Sequence, residues 1–186
     1  MASVATSFRH VLLLRGVNVG GHKRVPMSDL RRLLERLGYT KVRTLLNSGN
    51  AVFDVPRPSN PAQLASAIEA AIEATFGFAS RSFVLTAAAL DVVVVENALA
   101  GRADNPSRLL VAFLASSADR KGLAPLEARE WGTDAIAVGS RAAYLWCPAG
   151  MLESPLPEAV GRAVRAEVTT RNWATVLKLQ AACREG

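Results

Sequence analysis

The chain reads as an α+β protein built of two intimately packed ferredoxin-like (βαββαβ-type) subdomains with antiparallel sheets, and three observations carry that reading. Short apolar runs bounded by turn residues alternate with segments whose apolar residues recur every three or four positions. The first six such segments run strand, helix, strand, strand, helix, strand, the order of a ferredoxin-like unit. A weaker echo follows with no linker or low-complexity stretch between the halves. Residues 1–186 therefore read as a single domain, with one subdomain over about 8–86 and a second over about 87–186.

Taken in order, HVLLLR (10–15) has the pattern of a buried strand. MSDLRRLLERLG places Met27, Leu30, Leu33, Leu34 and Leu37 on one helical face, with Gly38 as the stop. VRTLL (42–46) and AVFDV (51–55) flank NSGN, whose glycine and asparagines supply the turn of a hairpin. Asn60-Pro61 has the form of a helix cap and first helical residue, and Leu64, Ile68, Ile72 and Phe76 then recur every fourth position up to Gly77. RSFVLT (81–86) closes the unit as a strand.

In the second half, ALDVVVVENALA carries four valines that favour a strand by propensity, while its length and flanks favour the helix predicted here. RLLVAFLA (108–115) is a strand. DRKGLAPLEARE is a broken helix or a loop. DAIAVG and AAYLWC form a hairpin around Gly139, Ser140 and Arg141, and LPEAVGRAVR and NWATVLKLQAAC are helical.

Composition narrows the class. A chain of 186 residues, half of them hydrophobic, buries one sizeable core or two small ones. Cys147 and Cys183 lack paired spacing and stand far from His10 and His22, so no disulfide framework and no metal site are expected. The opening MASVATSFRH lacks a basic start and a long apolar stretch, and no later run is long enough for a membrane span. A soluble cytoplasmic protein with no membrane partner is the expectation. The net charge of +6 is concentrated early, with ten Lys or Arg against three Asp or Glu in residues 1–60. Such a stripe can mark a polyanion partner, nucleic acid included, although an Arg to Lys ratio of 18 to 4 also fits a compositional bias.

Three segments, LLRGVNVGGHKRVPM, NSGNAVF and TTRNWATVLKL, resemble the signature segments of a bacterial domain-of-unknown-function family, number sixteen-ninety-seven. The resemblance extends over nearly the whole chain and implies two ferredoxin-like subdomains. It brings no established activity, cofactor or substrate. Ala174 stands where the family more often has asparagine, and ENALAGRADNPS replaces its more usual Asn-Pro-Phe.

The glycine loop is a near miss to known phosphate motifs. Gly16 and Gly21 have the GxxxxG spacing, but His22 and Lys23 stand where a Walker loop needs Lys and then Ser or Thr. GVNVGG is not GxGxxG, and Glu35 falls on a helix instead of at the tip of a second strand. Base stacking on a ferredoxin-like sheet needs aromatic residues on central strands; HVLLLR has none, and AVFDV has only Phe53. No GxSxG elbow surrounds Ser48, and His22 is the only proton carrier in the glycine loop, so no catalytic residue is assigned.

Topology then places a site. The first two strands of a βαββαβ unit end at one edge, which sets RGVNVGG beside NSGN and gathers Arg15, Asn18, Gly20, Gly21, Asn47, Ser48 and Asn50. TTRN is expected as a third arm: Thr169 or Thr170 caps the final helix, while Arg171 and Asn172 reach the same spot. The expected function is binding of a phosphate-bearing or other small anion by these loops, with no cofactor. An enzyme acting on a phosphorylated small molecule, a structural or oligomeric protein and a nucleic-acid-backbone binder are the alternatives.

Overall fold

Seven residues with an apolar second half, Phe8–Leu14, form strand β1, and its last five are buried. The structure is a computed structural model, and it describes residues 8–116, 118–165 and 168–185. After β1 come helix α1 (Met27–Arg36), strands β2 (Thr40–Leu45) and β3 (Asn50–Val55), helix α2 (Pro61–Phe76) and strand β4 (Ser82–Thr86). The sheet order is β2-β3-β1-β4, with every pairing antiparallel. Both β1 and β2 are therefore antiparallel to β3 and end at the same edge, which is the ferredoxin-like arrangement.

Period-two alternation assigns the core of this sheet. Leu12, Leu14, Ala51, Phe53 and Val55 cluster with Leu30, Leu33 and Leu34 of α1 and with Leu64, Ile68 and Ile72 of α2. Each of the larger side chains among them contributes about 1.5–3 kcal/mol when fully buried. Met27, Leu37 and Phe76, the outer members of the apolar stripes, are partly buried against the same cluster. The Asn60 side chain accepts from the Ala62 N–H at 2.9 Å, Pro61 opens α2, and Gly77 closes it at φ 75°.

Helix α3 (Ala87–Val95) follows β4 directly. The Thr86 hydroxyl accepts the Ala89 N–H at 3.1 Å, and this start signal prevails over the strand propensity of the valines. The helix stops at Val95, short of the predicted end, and only a 3₁₀ turn at Ala100–Arg102 follows.

Strand β5 (Leu109–Leu114), helix α4 (Asp119–Glu127), strands β6 (Ala135–Val138) and β7 (Ala142–Trp146), helix α5 (Leu156–Ala163), strand β8 (Val168–Asn172) and helix α6 (Trp173–Arg184) complete the chain. The second sheet has the order β6-β7-β5-β8 and is antiparallel throughout, so the echo is a full second βαββαβ unit. Its core joins Leu110, Ala112, Ala143 and Leu145 to Leu123, Leu156 and Val160. The segment predicted as a broken helix or loop is α4, a continuous helix with Pro125 inside it. Gly122 lets α4 approach α5: a Cβ there would lie 3.0 Å from the Ala163 carbonyl oxygen.

The chain divides into two compact units. One takes the chain up to Leu90 together with the segment from Lys178 onward, and the other is Asp91–Leu177. Within the first unit the Arg9 guanidinium pairs with Asp54 and donates to the Ala182 carbonyl at 3.1 Å, while Arg43 pairs with Glu185 at 2.7 Å. Among the described residues no helix is long and apolar enough to cross a membrane, and no group of three His, Cys, Asp or Glu residues is placed to hold a metal ion.

Candidate functional site

The loop after β1 and the turn between β2 and β3 meet at the shared edge. The Leu14 N–H donates to the Gly49 carbonyl at 2.8 Å. Asn18, at φ 56°, donates from its side-chain amide to the carbonyls of Asn47 (2.6 Å) and Val25 (2.9 Å) and accepts the Val25 N–H at 2.8 Å. One residue thus ties the glycine loop to itself and to the hairpin, and its amide is spent on that work. Asn50 is fully buried, and its amide donates to the Leu45 carbonyl and the Ser48 hydroxyl. Asn18, Asn47, Ser48 and Asn50 are therefore brought together as a hydrogen-bonded clasp.

Asn18, Gly21 and Asn47 line one cavity at this clasp, and Arg15 lines a second, separate one. The first, about 510 Å³, is lined by Asn18, Gly21, Arg24, Val25, Pro26, Met27 and Asn47. Helix α1 begins here with Pro26 at its N-cap, which supplies no side-chain hydrogen bond to the first turn. Gly20 and Gly21 take φ 64° and 81° with open space around them, and the N–H groups of residues 19–22 donate to no acceptor among the described residues. Arg24 lies within the same segment but outside its glycine spacing. Its place beside a predicted helix start was the signal available.

The second cavity, about 570 Å³, holds Arg15 and Gly16 with Lys23, Ser80 and Arg81 opposite Glu69 and Glu73 of α2. The Arg15 backbone is fixed on both sides, its N–H donating to the Arg81 carbonyl at 2.9 Å and its carbonyl accepting from the Ser80 hydroxyl at 3.0 Å. Glu69 and Glu73 are one turn apart, a spacing that puts both on one helical face. That spacing was the sequence signal for them, but nothing local to RGVNVGG pointed to α2.

The structure corrects the loop and the cap expected for TTRN. Thr169–Asn172 are not a loop; they lie on β8, in the second unit. Neither threonine caps α6: the Asn172 side-chain oxygen accepts the Thr175 N–H at 2.9 Å. Arg171 is buried and donates to the Thr169 hydroxyl (3.0 Å) and the Thr170 carbonyl (2.9 Å), and burial pushes its pKa below the ordinary guanidinium value.

Comparison with solved structures finds the same architecture in a conserved bacterial protein from Streptococcus pneumoniae, with a TM-score of 0.73 and 24% identity, covering 96% of this chain and 99% of that one. At that identity the likeness speaks for the fold alone. Curated protein sequences return no match. The family model described as "Protein of unknown function (DUF1697)" matches residues 8–144, a span that contains both the glycine loop and the NSGN turn and ends before Thr169. The chain belongs to the DUF1697 family.

Proposed function

We propose that the chain binds a small phosphate-bearing anion in the cavity beside Asn18. The observation that carries this reading is the make-up of the lining: the Arg24 cation, unpaired loop N–H groups and the open start of α1, with no carboxylate, imidazole or thiol among the lining side chains. A helix N-terminus carries partial positive charge and unpaired amides, so it favours an anion. Arg24 adds a full charge with a planar fork of donors suited to phosphate oxygens. Absence of a base or nucleophile from that lining favours binding over turnover. The Thr169–Asn172 segment has no part in the proposed site, because its cation is buried and engaged within its own strand.

The test is a thermal-shift panel on the full chain with inorganic phosphate, pyrophosphate, sugar phosphates, nucleotides and short oligonucleotides at matched ionic strength. Saturation at about 100 times Kd adds about 2.7 kcal/mol of stability. Stabilisation by a phosphate compound that is lost in Arg24→Ala supports the reading. No stabilisation by any member overturns it, and a response to oligonucleotides alone, collapsing steeply with salt, replaces it with backbone binding.

A further inference from the structure

The second cavity has a different chemistry from the first. Cations from the end of β1 and the start of β4, Arg15 and Arg81, face two carboxylates of α2, Glu69 and Glu73. Two of the charged groups lining it already serve the fold. The Lys23 ammonium donates to the Ala79 carbonyl at 2.7 Å and lies 5.8 Å over the Phe78 ring. Glu69 accepts the Ser82 N–H at 2.7 Å. By contrast, the Arg15 guanidinium and the Glu73 carboxylate line the same cavity without forming an ion pair with each other, and neither side chain has a hydrogen-bond partner among the described residues.

We infer that this cavity takes an amino-acid-type zwitterion, a small organic molecule whose carboxylate sits on Arg15 and whose ammonium sits on Glu73. The charge pattern suits a ligand of both signs better than one of either sign alone: a phosphate dianion meets the two carboxylates of α2 as well as the cations, and a plain cation meets Arg15, Lys23 and Arg81. A molecule carrying both signs satisfies both walls at once. Arg15 offers the fork geometry that matches a carboxylate, and its rigidly held backbone fixes where the side chain begins. Glu73 offers an acceptor for an ammonium on a helix, a stiff support. A volume of about 570 Å³ suits a small ligand, within the roughly 300–1,000 Å³ of such sites. Small wall residues, Gly16, Ala70 and Ala79, leave that volume open.

Calorimetric titration of the full chain with the free L-amino acids, then with the N-acetyl and α-amide derivatives of any that bind, tests the assignment. Each derivative removes one ligand charge and is expected to bind about ten-fold or more weakly than its parent. Glu73→Gln is expected to erase the preference for the free amine over the N-acetyl form. Arg15→Gln is expected to erase the preference for the carboxylate over the amide, while Arg15→Lys retains part of it. Unliganded Tm should be unchanged in Glu73→Gln, an exposed side chain with no internal partner, and should report on Arg15 separately. Arg24→Ala, in the other cavity, should leave amino-acid binding intact even where phosphate binding is lost. The inference fails if no free amino acid binds, if the N-acetyl form binds as tightly as its parent, or if Glu73→Gln leaves the discrimination in place.

Discussion

The Asn18 side-chain nitrogen lies 2.6 Å from the Asn47 carbonyl oxygen, joining two turns that are 29 residues apart in the chain. Because Asn18 also bonds both backbone groups of Val25, its replacement removes three hydrogen bonds and leaves partners unsatisfied. Asn18→Ala should cost about 2–4 kcal/mol in denaturant unfolding. Asn18→Gly should cost less than Ala, since glycine adopts φ 56° without strain while losing the same bonds. Equal costs would assign the whole effect to hydrogen bonding.

Gly49 and Gly77 share almost the same φ, 74° and 75°, but not the same surroundings. A Cβ on Gly49 would stand 2.7 Å from both Leu14 Cβ and Val17 Cγ2, whereas one on Gly77 meets open space. Gly77→Ala should cost about 1 kcal/mol, the strain of a left-handed residue. Gly49→Ala should exceed it by about 1–3 kcal/mol, the further cost of overpacking. Thermal unfolding of the two variants measures the difference directly, and equal losses would mean that the hairpin moves aside freely.

Arg171 is buried on β8 and bonded to Thr169 and Thr170. Arg171→Ala leaves the Thr170 carbonyl and the Thr169 hydroxyl without their donor and should destabilise the fold by about 2–4 kcal/mol. Arg171→Met retains the stem's packing and removes the cost of a buried charge, so it should be the milder change. Phosphate binding should survive in Arg171→Met; its loss there would restore a ligand role to this residue.

Glu96 accepts the backbone N–H (2.7 Å) and the hydroxyl (2.8 Å) of Ser140, and these two bonds hold its carboxyl below the ordinary value of 4.5. A carboxylate with a depressed folded pKa stabilises the fold above its unfolded pKa, and that contribution disappears as pH falls through the folded pKa. The stability gap between wild type and Glu96→Gln should therefore be present at neutral pH and shrink below about 4.5. A gap that is independent of pH would show that the bonds, not the charge, matter.

Regular apolar periodicity made the first unit legible. The α1 stripe, the Asn60-Pro61 start of α2 and the order of its strands follow from residue spacing alone, as does the meeting of the glycine loop with the NSGN turn. Strand β8 escaped because its inward positions are polar. Thr169 and Arg171 alternate with half-buried neighbours, but a period-two reading looks for apolar residues at those positions. Thr-Thr offers hydroxyls suited to capping, but Asn172 performs that role. The division of the site into two cavities was not legible either. Glu69 and Glu73 come to line the same cavity as Arg15 only through the packing of α2 on the sheet, and no local motif records that juxtaposition.

The first unit is discontinuous in sequence, and this bears on how the chain is made. Its four strands have all emerged by Thr86, yet the Arg9 contact with Ala182 spans 173 residues and the Arg43 contact with Glu185 spans 142. A growing chain cannot close either contact until residues 182–185 have been made, and bridging such separations late carries a loop-closure cost that falls once the intervening residues have folded. The nascent first sheet must therefore persist with these two contacts unmade while the second βαββαβ unit is completed, so ribosome-bound intermediates should hold Arg9 through Asp54 alone and leave Arg43 without its Glu185 partner.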